Sequence, residues 1–303
     1  MASYLVTGGA GFIGSNLVDE LIAQGHRVRI IDNLSTGRRE NVNPKAELVI
    51  ADISKYDEIA PYFKGLDGVF HFAALPRVQI SIEQPMETHN TNINGTLNVL
   101  MAAKEAGVKR LVYSASSSAY GDPESLPLKE TMRPSPKSPY GLHKYVGEHY
   151  SRLFSMFYGL ETASLRYFNV YGPRMAEEGA YCLVIAVFLK QRREGKPLTI
   201  CGDGTQTRDF THVRDVVAAN ILAMESVNVG HGEVINIGAG DNHSVKEVAD
   251  LIGGEIQYLP PRVEPHDTLA DNTLARELLG WEPKVKFEDG VRELLSPESL
   301  MAL

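Results

Sequence analysis

Residues 9–14 read Gly9-Ala10-Gly11-Phe12-Ile13-Gly14, with Gly8 just before them. This G-x-G-x-x-G run lies between a short apolar strand, Tyr4-Leu5-Val6, and a stretch from Phe12 to Ala23 with helical periodicity that Gly25 ends. Strands alternating with helices in this way argue for βαβ units and a parallel sheet. The downstream pattern agrees. Strands are predicted at Arg27 to Ile31, Glu47 to Ile50, Gly68 to Phe72, Val108 to Tyr113 and Glu161 to Tyr167. Long helices are predicted from Pro85 to Ala106, stopped by Gly107, and from Tyr140 to Tyr158, stopped by Gly159. The fold class expected is α/β, a Rossmann-type doubly wound parallel sheet over residues 1–172. After Gly172-Pro173 the segments shorten and Gly and Pro become more frequent. A smaller α/β lobe is expected over 173–303, with crossover segments allowed between the two and a cleft for a ligand between them.

The bulk properties exclude several classes. A formal net charge of -8 leaves no basic footprint for nucleic acid, and Arg192-Arg193 reads as a solvated helix face. Cys182 and Cys201 have neither disulfide nor zinc spacing. No cluster of His, Cys and Asp has metal-ligand spacing, so no metal is expected; His71 and His143 read as packing or hydrogen-bonding groups. Val184 to Leu189 is apolar but too short to span a membrane. Met-Ala-Ser leads directly into a strand without the charged and apolar stretches of a secretory signal, so the cytoplasm is the expected compartment.

The glycine turn in this context predicts a bound dinucleotide. One glycine allows the tight turn, one lets the backbone approach a pyrophosphate, and one permits close helix–strand packing. Unpaired N–H groups at the helix start then face the phosphates. Asp32, 18 residues after Gly14, ends the second strand where a carboxylate would accept the adenosine ribose hydroxyls and repel a 2′-phosphate. NAD is therefore expected over NADP, a preference that Arg38 and Arg39 weaken slightly.

Tyr140 and Lys144, four apart on a predicted helix, share one face. A lysine there would lower the phenol pKa from about 10 and make the tyrosine usable as a base. Ser114 to Ser118 ends the fifth strand, at the C-terminal ends of the parallel strands where ligands bind, and a serine hydroxyl could meet the same reacting oxygen.

With these motifs in this order, the chain resembles the extended short-chain dehydrogenase/reductase family. In particular it is similar to nucleotide-sugar epimerases of the UDP-glucose (UDP-galactose) 4-epimerase type. The likeness runs over nearly the whole chain. It is strongest at residues 7–15, 32–35, 71–74, 94–96, 116–121, 140–144, 166–174 and 202–209. The resemblance implies that Ser116, Tyr140 and Lys144 are catalytic. It implies NAD held by Gly8, Gly11, Phe12, Ile13, Gly14, Asp32 and Asn33, with Asp52-Ile53 at the adenine. Phe72, Ala73, Ala74, Asn92 and Ser114 would line the cofactor path, and Tyr140, Lys144 and Tyr167 would stand near the nicotinamide ring and ribose. For the substrate it implies Ser116 and Ser117 at the sugar, Asn169, Arg208 and Arg262 at the diphosphate, and Thr268 at the edge of the sugar pocket. Arginine forks suit phosphate oxygens; the alternative for Arg262 is a surface ion pair. The implied partners are a UDP-sugar and a second copy of the chain, a homodimer whose helices 85–106 and 140–158 form a four-helix bundle, with no nucleic acid and no membrane.

Two positions bear on the reaction, and a further three on the substrate. The related dehydratases carry an Asp-Glu pair at Ser117 and Ser118, and the related decarboxylases tend to carry glutamate at Ser118; here both are serine. Without a carboxylate there is no obvious acid/base for a second bond-breaking step. Oxidation and re-reduction at C4 of a UDP-hexose is therefore expected. The alternatives are another NAD-dependent nucleotide-sugar enzyme, whether dehydratase, decarboxylase or reductase, and a non-catalytic NAD sensor or scaffold. Pro76-Arg77, in place of a lysine found in some relatives, resembles the branch with broader substrates. Thr268 is small where narrow-specificity relatives carry tyrosine. It either opens room for an N-acetyl group or merely packs.

Overall fold

The structure, a computed structural model, describes residues 1–76, 78–122, 125–176, 182–261 and 266–296. Its first half runs β1 (Ser3–Thr7), α1 (Phe12–Ala23), β2 (Arg27–Asp32), β3 (Glu47–Ile50), α2 (Tyr56–Ile59), β4 (Gly68–His71), α3 (Val78–Glu83), α4 (Pro85–His89), α5 (Gly95–Glu105), β5 (Arg110–Ser116), α6 (Pro139–Tyr158) and β6 (Glu161–Tyr167). The second half continues with β7 (Val170–Tyr171), α7 (Val184–Arg193), β8 (Leu198–Cys201), β9 (Thr207–Asp209), β10 (Thr211–His212), α8 (Val213–Glu225), β11 (His231–Ile237), β12 (Asn242–Ser244), α9 (Val245–Ile252), β13 (Ile256–Leu259), α10 (Thr273–Leu279) and α11 (Phe287–Leu294).

Seven parallel strands form one sheet in the order β11-β6-β5-β4-β1-β2-β3. The direction of winding reverses between β1 and β4, which opens a crevice at their carboxyl ends. The central strands β4 and β5 are buried on both faces, around the apolar pairs Val69-Phe70 and Leu111-Val112. Leu17, Val18 and Leu21 of α1 pack with Val216 and Ala223 of α8 on one face. Val99, Leu100 and Ala103 of α5 pack with Phe154 of α6 on the other. A third apolar cluster joins α7, α9 and α11 around Phe188, Val248 and Phe287. That cluster, with three two-stranded sheets, builds the smaller lobe. β11 and α8, although they follow residue 173, belong with the main sheet: β11 pairs with β6, and α8 packs against α1. Among the described residues no helix is long and apolar enough to cross a membrane, and no cluster of His, Cys, Asp and Glu could hold a metal.

One long element differs from its sequence prediction. The helix expected over 85–106 is interrupted by a π-helical turn, Asn90–Asn94, and is preceded by α3, which the sequence pattern does not announce. Such turns insert one residue into the hydrogen-bond ladder and re-aim the side chains around it. Trp281 is buried, and its indole N–H donates to the Asp215 carbonyl at 2.8 Å, which closes α10 onto α8.

Arg110 holds the two halves together. Its guanidinium donates to the Glu161 carboxylate at 2.9 and 2.6 Å and to the carbonyls of Ala223, Met224, Ser226 and Val229 at 2.6–3.2 Å. Arg110→Met would strand four carbonyls and one carboxylate. Leaving buried acceptors unsatisfied costs about 1–3 kcal/mol, the part-exposed Glu161 adding little, so urea unfolding at fixed NAD should show a loss of that size with an unchanged slope.

Candidate active site

β1 and β4 end side by side at Thr7 and His71, and both chain exits open into a cavity of about 610 Å³. Gly8 turns at φ +72, its N–H donates to the Ile31 carbonyl at 2.8 Å, and a Cβ there would lie 2.7 Å from Ala73 N. A Cβ on Gly14 would lie 2.3 Å from the Gly8 carbonyl oxygen. Gly11 is less crowded, 3.2 Å from the same oxygen. The helix α1 therefore starts directly against the turn, with no side-chain cap and no acidic residue in its first turn. Gly8, Gly11, Phe12, Ile13 and Gly14 line the cavity, and the first-turn N–H groups have no acceptor within the helix. That cradle suits an anion.

Asp32 lines the cavity while its oxygens accept the N–H groups of Ala10 at 3.0 Å and Leu34 at 2.8 Å. Burial pushes its pKa up, and those two bonds pull it back. Asn33 and Ile53 also line the cavity. Asp52 does not: its carboxylate accepts the Ser54 N–H at 2.9 Å in a local turn. Phe72, Ala73 and Ala74 lie along the opposite bank, with Phe72 stacked on Tyr167 at 6.4 Å. Asn92 stands behind them rather than on the surface. Its side-chain amide brackets Leu75, accepting from the N–H at 2.8 Å and donating to the carbonyl at 3.1 Å. The π-helical turn that re-aims Asn92 also leaves Thr91 on the cavity surface.

Ser114 and Ser116 of β5 face Tyr140 and Lys144 of α6 across this cavity. The Ser116 hydroxyl, which favours the ionised form of the Tyr140 phenol, accepts from the Ser118 N–H at 3.2 Å and the Ser118 hydroxyl at 2.8 Å. Lys144 Nζ donates to the Ser114 carbonyl at 2.6 Å and stands 5.1 Å from the centre of the Tyr113 ring. The electrostatics differ from the sequence expectation. Burial pushes Tyr140 up to about 12, and Ser116, not Lys144, is the group that pulls it back. Lys144 is itself pushed down to about 8 by burial, against the pull of Glu148 one turn further along α6. The ammonium is directed to the β5 carbonyl, so the chain's own residues leave the phenol protonated at neutral pH.

The smaller lobe closes the other end. Asn169 adopts φ +29, and its amide donates to the Asp209 carbonyl at 3.1 Å and the Thr268 hydroxyl at 3.3 Å. Arg208 lines the cavity and is held by the carbonyls of Thr207 and His266, both at 2.9 Å. Thr268 and Ser117 line it as well, whereas Arg262 lies outside the described residues. Sequence reasoning missed Leu128 and Ala176, which lie on irregular loops with no periodic signal. It also missed the role of Asp209. This fully buried carboxylate accepts the N–H groups of Ala239, Gly240 and Ala270 at 2.7, 3.0 and 2.9 Å, and so ties two distant loops together beside Thr268. Burial pushes its pKa up to about 6.

Residues 4–238 match the NAD dependent epimerase/dehydratase family. The chain belongs to that family. A putative UDP-glucose 4-epimerase of Methanocaldococcus jannaschii is 41% identical over 300 residues, covering 96% of this chain and 97% of its own. The UDP-glucose 4-epimerase of Thermotoga maritima, solved with UDP-glucose, superposes with a TM-score of 0.92 at 40% identity over 97% of this chain and 100% of its own. A UDP-N-acetylglucosamine 4-epimerase of Methanobrevibacter ruminantium, solved with UDP-N-acetylmuramic acid, gives 0.93 at 35% over 99% and 98%. The cofactor of this family is NAD, and the residues here fit it: the uncapped start of α1 meets the cavity at Gly11, Phe12, Ile13 and Gly14, where a pyrophosphate would be held, and the Asp32 carboxylate lines the same cavity, where it would accept ribose hydroxyls.

Lys144 carries a pH signature. Unfolded, its amine keeps the proton up to about 10.5; folded, only to about 8. Folding therefore works against the charged amine below pH 8, by up to about 3 kcal/mol, and that penalty fades between pH 8 and 10.5. Lys144→Met should melt above the wild type at pH 7, and the gap should close as pH rises through that window. A gap independent of pH would contradict the assignment.

Proposed function

We propose that this enzyme inverts C4 of a UDP-hexose through a transient 4-keto sugar, with NAD retained between turnovers. One observation carries the reading. Ser116, Tyr140 and Lys144 meet at the crevice, while the one carboxylate among the described cavity residues is Asp32, held at the turn by Ala10 and Leu34. A dehydratase or decarboxylase needs a further acid/base at the sugar; the side chains at that end are Ser117, Ser118 and Thr268.

When bound, NAD supplies the hydride acceptor and the positive charge of its oxidised ring. That charge is what the buried phenol lacks: beside it, the Tyr140 proton becomes easier to lose. Tyr140 then accepts the C4 hydroxyl proton, with Ser116 orienting the same oxygen. Lys144, anchored on the Ser114 carbonyl, would hold the nicotinamide ribose. Arg208 and Asn169 hold the substrate diphosphate while the sugar turns, and Tyr140 returns its proton to the new C4 oxygen.

The short Thr268 side chain supports a pocket that also takes N-acetylated hexoses, in line with the N-acetylglucosamine relative above. Residues 1–172 then act as the NAD-binding part and 173–303 as the sugar-binding lobe. Leu142, Leu153, Met156 and Phe157 of α6, with Ile82 and Met86 beside it, are exposed apolar side chains and support a homodimer through a four-helix bundle. Cys182 and Cys201 form no disulfide, which fits the cytoplasm.

Incubation with UDP-glucose, UDP-galactose, UDP-GlcNAc or UDP-GalNAc, at NAD levels far below the sugar, should yield the C4 epimer of each. Tyr140→Phe should lower the rate by about a thousandfold. A Tyr140→Phe variant at full rate would sink the assignment.

A further inference from the structure

The first turn of α6 contains one hydrogen bond that the mechanism does not use. Pro139 has no N–H, and the Ser138 hydroxyl oxygen accepts the N–H of Gly141 at 3.1 Å. The Leu142 N–H reaches the Ser138 carbonyl at 3.0 Å. That leaves the N–H of Tyr140 as the one donor of the turn without an acceptor in its own helix. Its acceptor comes from another element. Ser81 of α3, fully buried, accepts it on Oγ at 3.0 Å and donates its own hydroxyl to the Val78 carbonyl at 2.6 Å.

A serine that bonds back to its own helix is ordinary. Ser81 does more, because one of its two lone pairs accepts from the backbone of the residue that handles the proton. Its helix begins two residues after Pro76, which lines the cavity. The chain Pro76, α3, Ser81, Tyr140 therefore joins the loop beside the sugar to the peptide unit that carries the phenol. A reacting group misplaced by about 1 Å can cost on the order of a hundredfold in rate.

Resting on the epimerase reading, we infer that Ser81 is a positioning residue for Tyr140: its hydroxyl fixes the backbone of the base and ties it to the loop next to the substrate. Ser81→Ala removes the acceptor, and Ser81→Thr restores it.

The test compares wild type, Ser81→Ala and Ser81→Thr as NAD-bound enzymes. Ser81→Ala should lower kcat at least tenfold with KM and bound NAD within threefold of wild type. Ser81→Thr should recover most of the rate. Hydrogen exchange of the peptide holding Tyr140 should quicken in Ser81→Ala alone. If Ser81→Ala keeps kcat within twofold, or loses rate only in proportion to bound NAD, or if Ser81→Thr is as slow as Ser81→Ala, the positioning role is wrong. A wild type that inverts no UDP-hexose overturns the epimerase reading instead. The rate compared across the three proteins is then single-turnover reduction of bound NAD by the same sugars, with the same expectations for Ser81.

Discussion

Everything at this site depends on how closely α1 can approach the end of β1. The Gly8 carbonyl oxygen lies where a Cβ on residue 14 would be, and Ala73 N lies where a Cβ on residue 8 would be. Only glycines allow that packing. It places an uncapped helix start at the switch point of the sheet, between strands whose loops leave toward opposite faces. Asp32 strengthens the arrangement from the next strand by accepting the Ala10 N–H within the turn itself. The same carboxylate thus shapes the turn and faces the cavity.

A second layer, one step behind the surface, keeps the opposite bank in register. The Thr96 hydroxyl donates to the Asn92 carbonyl at 2.7 Å, so His71 Nε2, at 2.9 Å, must carry the proton that Thr96 accepts. His71 Nδ1 is then bare and accepts from the Thr7 hydroxyl at 2.7 Å. Burial and the charge of Lys144 push His71 down to about 3, which keeps it neutral and the direction of the chain fixed. The relay runs from the residue before the glycine turn to the π-helical turn, where Asn92 grips Leu75. Both banks of the crevice are therefore set by one network of buried neutral groups.

Local patterns carried most of the fold and much of the site. The strand, turn and helix around Gly8 to Gly14 are contiguous in sequence, and so is the Tyr140–Lys144 face of α6. Asp32 follows from the end of a strand. What sequence could not supply comes from contacts distant in the chain. Asn92 was expected on the cavity surface, but a π-helical turn has no periodic signature and re-aims it. Asp52 was expected at the adenine, but a local turn captures its carboxylate. Asp209 gathers loops 30 and 61 residues away, a role invisible in any short window. The effect of Lys144 on Tyr140 failed for a physical reason: spacing places the amine on the right face, but burial and the Ser114 carbonyl decide its charge and direction.

The central claim is that NAD takes a hydride from C4 and gives the same hydride back to the opposite face. The most direct measurement uses a UDP-hexose with deuterium at C4, turned over in ordinary water at low NAD. The account predicts that the C4 epimer keeps the deuterium at C4 and that reduced cofactor does not accumulate with product. Loss of the label to solvent, or one reduced cofactor formed per sugar consumed, would contradict it.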